Sequence, residues 1–178
     1  MDKRFRNLLF LIVLIVIVAI ITFYFLGGIK LPEQQGGLEG VAKKHNFNLD
    51  TLNFADEQLT LANIDLLRSD LQDVSDSRKQ IILEKLSLLE STIYFYNNYF
   101  ELTDSLELSN EPCTYETKLN DTIQEGKIVL DEISTFNYNV AMNYPENPAY
   151  GFSNGFVIEN FVYFMENELT LQLGEICA

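Results

Sequence analysis

Residues 8–26 read LLFLIVLIVIVAIITFYFL, and no charged residue occurs between Arg6 and Lys30. Nineteen residues in a helix rise roughly 28 Å, close to the hydrocarbon thickness of a bilayer. A helix packed inside a soluble protein is rarely apolar on every face over that length. The run is therefore expected to be a transmembrane helix. Its only hydroxyls are Thr22 and Tyr24, and Tyr24 falls near the end where an interfacial ring would sit. Lys3, Arg4 and Arg6 precede the run, and positive charge holds that end of a helix in the cytoplasm. Residues 1–7 are thus read as a cytoplasmic tail, and the chain beyond residue 26 as extracytoplasmic. The competing reading is a cleaved signal peptide, whose apolar core usually runs about 7–15 residues. The stretch FYFLGG places Phe25 or Leu26 where cleavage wants a small residue. No cysteine follows the run to carry a bacterial-type lipid anchor, and no second apolar stretch matches it, so a single crossing is expected.

Charge divides the chain unevenly. The whole carries −14, with 12 basic and 26 acidic residues. Residues 1–30 hold four of the bases and one acid, which leaves 8 bases and 25 acids in 31–178, a net of −17. A domain that acidic repels phosphate backbones, so nucleic acid is excluded as a natural partner. Anionic lipid head groups repel it too.

The stretch GGIKLPEQQGGLEG holds five glycines and one proline in 14 residues, and residues 27–52 are expected to form a flexible stalk. From residue 53 the apolar spacing becomes helical, with Asn53 and Asp56 placed as a variant capping box. Leu61, Ile64, Leu67, Leu71 and Val74 form one row, and Ile82, Leu86, Leu89, Ile93, Tyr96 and Phe100 the next. Between them SDSR marks either a stutter in one long helix or a turn between two. Pro112 suits the first turn of another helix, whose apolar row is Leu119, Ile123, Leu130, Ile133 and Val140. Gly126 interrupts that helix at a cost of about 1 kcal/mol relative to alanine. NYPENPAYGFSNG, residues 143–155, is a loop, and a last helix follows, capped by Ser153 or Asn154 and expected to stop at Gly174. Strand-like alternation is nearly absent. The expected fold is all-α: residues 53–178 make an antiparallel bundle of three or four helices.

Cys113 and Cys177 both fall in the part expected outside the cytoplasm, where disulfides persist. One opens the helix near 112 and the other ends the last helix. An antiparallel hairpin of those helices brings the two together, so a Cys113–Cys177 disulfide is expected. A reactive thiol would want a CxxC pair or a neighbouring histidine, and the single histidine, His45, lies in the expected stalk.

Little chemistry is legible. One histidine rules out the usual metal clusters and histidine-dependent nucleophiles. No phosphate-cradling glycine loop, nucleophile elbow or calcium loop is present. No catalytic, cofactor or metal residue is assigned, and an enzyme is the least favoured class. Asn120, in NDT, is a formal glycosylation acceptor. Tyr144, Tyr150 and Phe152 are candidate partner-binding residues, because aromatics in Pro/Gly loops are enriched at recognition surfaces.

A basic start, one apolar helix and an exported helical domain resemble type IV pilin-like proteins and the helical sensor domains of membrane receptors. The first resemblance implies a surface or assembly component. The chain departs from it, with no glycine cleavage site before the apolar run, no Glu within it, and GG…LP breaking the helix after it. The second implies ligand binding, relayed through a partner because no second membrane helix returns. The leading expectation is a single-pass protein whose extracytoplasmic domain binds other proteins or itself.

Overall fold

The computed structural model describes residues 37–55 and 59–177. The expected tail and membrane helix lie outside them. Among the described residues no helix is long and apolar enough to cross a membrane.

Two long helices carry the fold. They are α3, Lys79–Leu108, and α4, Glu116–Asn143. Their connection is short, and Pro112 opens a 3-10 turn, Pro112–Tyr115, that leads directly into α4. The missing proline N–H costs nothing in a first turn. The helices run antiparallel. Glu101 meets Lys118 at 2.7 Å and Asn98 meets Glu125 at 2.7 Å, while Phe95 packs over Gly126, so contacts descend one helix as they climb the other. The third rod is α5, Gly155–Phe164, continued by a π turn, Met165–Leu169, and α6, Thr170–Cys177. It returns along α4. Ile133 lies under Gly155, Val162 against Gly126, and Lys127 pairs with Glu166. The disulfide Cys113–Cys177 closes the far end, with Cα atoms 5.6 Å apart. The two cysteines stand 64 positions apart in the sequence. Closing such a loop stabilises by about 4 kcal/mol in the chain-entropy model.

Gly126 sits where all three rods meet. A Cβ there would lie 2.5 Å from Val162 Cγ2 and 2.7 Å from Phe95 Cε2. The glycine that weakens α4 by propensity is what lets the helices approach. Gly174 differs from expectation. It does not stop the last helix, which continues to Cys177. The disulfide holds the final turn in place of a glycine cap.

The expected stalk is partly folded. Residues Leu38–Lys44 form a helix, α1, that buries Leu38, Val41 and Ala42. Phe47–Asn48 (β1) and Asn53–Phe54 (β2) then pair antiparallel, Phe47 opposite Phe54 with ring centroids 5.2 Å apart. The described fold is thus mostly helical rather than all-α, and its domain begins near residue 37 instead of 53. Glycines and lysines hid a short amphipathic turn, and a two-residue strand is too brief to alternate. Asn48 Oδ1 accepts from the N–H groups of Asp50 and Thr51, which closes the hairpin turn. Leu52 takes φ 52° there and is fully buried. Burial of its side chain offsets a left-handed backbone that costs of order 1 kcal/mol.

Asn53 consequently caps no helix. Thr60 does, its hydroxyl accepting from the N–H of Asn63 at the start of α2, Leu61–Asp70. The region is two helices. The chain turns between Leu71 and Arg78, where Asp76 accepts from both the backbone and side chain of Arg78. Arg68 of α2 reaches Glu90 of α3 at 2.6 Å. Asp70 receives Lys44 at 2.5 Å and His45 at 2.7 Å, so the end of α1 is fastened to the end of α2. His45 therefore belongs to the folded domain. Within α3 the buried row runs through Thr92, Phe95, Tyr99 and Leu102 rather than Ile93, Tyr96 and Phe100. The sequence offers aromatics on both rows, and α4 and the last rod together select the row that faces them.

Two glycines give opposite expectations. Gly126→Ala should lower stability by about 2 kcal/mol through overpacking, whereas Gly174→Ala, with open space around it, should gain up to about 1 kcal/mol in helix propensity. Urea midpoints of the two variants check both signs. The hydrogen bonds from Lys44 and then His45 hold the Asp70 carboxyl below its ordinary 3.8. The stability this gives is complete above that value and is lost as pH falls through the lower folded one. Asp70→Asn should therefore melt below wild type at about pH 6, with the two converging in acid.

Candidate binding groove

The loop between α4 and α5 is held from below by one side chain. Lys85 lies on the buried row of α3 and is 0% exposed. Its ammonium donates to Thr51 O at 2.8 Å, Tyr150 O at 2.8 Å and Gly151 O at 3.1 Å. Three N–H groups meet three carbonyls, two from the loop and one from the β1–β2 turn. Burial pushes Lys85 down to about 8. The accepting carbonyls favour the ammonium, so it is charged at neutral pH. An unpartnered charge here would cost several kcal/mol.

Asn137 of α4 adds a second fastening. Its Oδ1 accepts from Phe152 N–H at 2.7 Å, and its Nδ2 donates to Phe152 O at 3.1 Å. The side-chain amide imitates a strand partner for one residue of loop. Within the loop, Asn147 N–H donates to Tyr144 O, Tyr150 N–H to Asn147 O, and Gly151 N–H to Pro148 O. Gly151 approaches closely as well, since a Cβ there would lie 3.2 Å from Asn137 Oδ1 and 3.2 Å from Pro148 O. The Pro/Gly loop is therefore a fixed wall.

Between this wall and the hairpin lies a groove of about 630 Å³. Tyr144, Pro145, Pro148 and Phe152 line it from the loop, Asn137 and Val140 from α4, and Thr51 and Asn53 from the hairpin. Its volume falls in the range of small-ligand and peptide sites, and its lining of apolar groups with a few amides and hydroxyls is typical of them. No charged side chain lines it.

The structure sorts the candidate aromatics. Tyr144 is half-buried on the groove wall, and Phe152 is buried with an edge on the groove. Tyr150 is buried behind them, its ring 5.6 Å from that of Tyr144, and it serves the site through its carbonyl on Lys85. The disulfide lies at the other end of α4, about 40 Å away along the helix. Asn120 is exposed on the second turn of α4, apart from the groove. Among the described residues no three His, Cys, Asp or Glu side chains are arranged to hold a metal.

Sequence reasoning missed Lys85 and Asn137. For Lys85 the signal was present. It is three residues after Ile82 and four before Leu89, a lysine on an apolar row, which burial demands be satisfied. Asn137 gave no signal, because its partner is a backbone carbonyl and N–H 15 residues away.

Comparison of the chain with family models, with curated proteins and with solved structures finds no match.

Lys85→Met keeps the apolar stem and removes the donor from three carbonyls. Stability should fall by about 2 kcal/mol, and amide exchange should accelerate around residues 51–54 and 150–153 before it does in α4. An unchanged urea midpoint with unchanged exchange would remove Lys85 from its role in holding the groove.

Proposed function

We propose that the chain is a single-pass membrane protein, N-terminus in the cytoplasm, whose extracytoplasmic acidic domain works by binding a segment of another protein in the groove beside Tyr144 and Phe152. The groove is the observation that carries this reading. It is preformed, apolar with a rim of amides, and fixed by Lys85 and Asn137, so little ordering entropy is lost on binding. The Cys113–Cys177 disulfide supports an oxidising compartment. The apolar run 8–26 behind Lys3, Arg4 and Arg6 supports the tether and its orientation. The role is structural or assembling rather than catalytic.

A second reading has its own support. A volume of about 630 Å³ also suits a small apolar ligand, which would make the domain a sensor acting through a partner.

A photo-crosslinking side chain placed at Tyr144 in the native membrane distinguishes these readings. The expected outcome is a discrete protein adduct at Tyr144 and none at Tyr138, which is exposed on α4 outside the groove. Equal labelling at both positions, or none at either, would sink the protein-binding reading. A small molecule retained by the purified chain in native mass spectrometry, without a protein adduct, would establish the second.

A further inference from the structure

The rod from α5 to α6 is apolar on two sides. Its inner row, Ile158, Val162, Met165 and Leu173, is buried. On the opposite side Phe156, Tyr163 and Leu171 are 71%, 64% and 66% exposed. Their spacing is seven residues and then eight. The π turn Met165–Leu169 takes up the extra residue, because a π turn holds more residues than an α turn, and the outer row stays in line. The hydroxyl of Thr170 donates to Met165 O at 2.9 Å and fixes that turn.

On the flank toward α3 this rod borders a groove of about 550 Å³. Phe100, Leu106 and Glu107 line one side, and Phe164, Leu169 and Gln172 the other. Aromatic packing supports its wall: Tyr99 stacks on Phe161 at 4.3 Å, and Phe100 meets Phe161 edge-on at 6.2 Å. Phe100 remains 53% exposed and Phe164 38%. Exposed Glu168 lies in the π turn, one residue before Leu169 of the groove wall. Residues 155–177 contain Glu159, Glu166, Glu168 and Glu175 and no lysine or arginine. Lys127, the base beside the rod, is already paired with Glu166.

Charge decides what such a surface accepts. A second copy would set the same acids against each other, and anionic lipid is repelled likewise. We propose that the groove between α3 and the C-terminal rod docks an amphipathic helix of a protein partner, apolar on one face and bearing lysine or arginine along its edges. The apolar face enters between Phe100 and Phe164, and the cations reach Glu107 and Glu168. This is the helix-in-groove mode, with charge fixing partner and register. The surface is separate from the groove beside Tyr144 and stands or falls independently of it.

The chain contains no tryptophan, so a single tryptophan in a peptide reports its own burial. The probe is a helical peptide of about 18 residues with leucine on one face and lysine at its edges, and a twin with glutamate for lysine. Each is titrated into the full-length chain in a non-ionic detergent. The lysine peptide should bind saturably with a blue-shifted emission, and the glutamate twin should not. Phe100→Ser with Phe164→Ser should weaken binding by about tenfold or more, the scale expected for anchor residues. The charge reversal Glu107→Lys with Glu168→Lys alters two exposed positions and should transfer preference to the glutamate twin. Four results would each overturn the proposal: equal binding of both peptides, binding untouched by the phenylalanine changes, no binding at all, or self-association of the chain that those same changes abolish.

Discussion

Lys85 is the point on which the hairpin end of the molecule depends. Its ammonium touches two irregular segments that pack there, the β1–β2 turn through Thr51 and the α4–α5 loop through Tyr150 and Gly151. Neither segment has enough regular structure to fix itself. The strands are two residues long, and the loop is fastened to α4 by one asparagine side chain. A hydrophobic residue at this position would pack equally well but would leave three inward carbonyls without donors. Buried charge is usually a weak source of stability. Here its effect is geometric, since three acceptors at about 3 Å place two loops in one arrangement. The groove is the space between those two loops.

The other end of the bundle is closed covalently, and the middle by absence of a side chain. At Gly126 the backbone of α4 comes within contact of Phe95 and Val162, which draws α3 and the C-terminal rod against the same helix. The disulfide then holds the last turn, which has no αL glycine cap and whose neighbours on the rod are mostly exposed. Three separate devices, an ion among carbonyls, a glycine and a disulfide, thus fix three rods of unequal apolar quality.

The long helices, the loop at 143–155 and the cysteine pairing were legible because each follows from short-range spacing or from simple topology, whereas spacing left open whether SDSR was a stutter or the turn found at 71–78. What was not legible depended on which of two plausible rows a third element would cover. Thr92, Phe95 and Tyr99 were favoured over Ile93 and Tyr96 only because α4 and the rod meet α3 on that side. The glycine-rich approach to residue 37 looked like a tether because Leu38, Val41 and Ala42 are too few to mark a helix alone. They become one when α2 and the hairpin bury them and Asp70 draws in Lys44 and His45. Of the groove, Tyr144 and Phe152 could be named from the loop, whereas Asn53, Asn137 and Lys85 entered by long-range contact.

The two grooves differ in a way that bears on what each would select. The domain's −17 over residues 31–178 raises the local concentration of cations around it and repels anions. The groove beside Tyr144 has no charged side chain in its lining, so discrimination there falls to shape and to hydrogen bonds from Asn53, Thr51 and Ser153. The groove beside Phe164 has Glu107 on its wall and Glu168 next to it, where the general field and the local charge have the same sign and add. Long-range attraction would therefore hasten encounter at the second groove with a cationic segment, while the first would gain nothing from charge. On the reading proposed, one domain could hold an uncharged segment at its hairpin end and a basic helix along its flank. The π turn makes both faces of the rod possible at once. A rod that stayed α-helical through residues 165–169 would turn Leu171 and Leu173 together, taking Leu171 out of line with Tyr163 and Leu173 out of line with Met165.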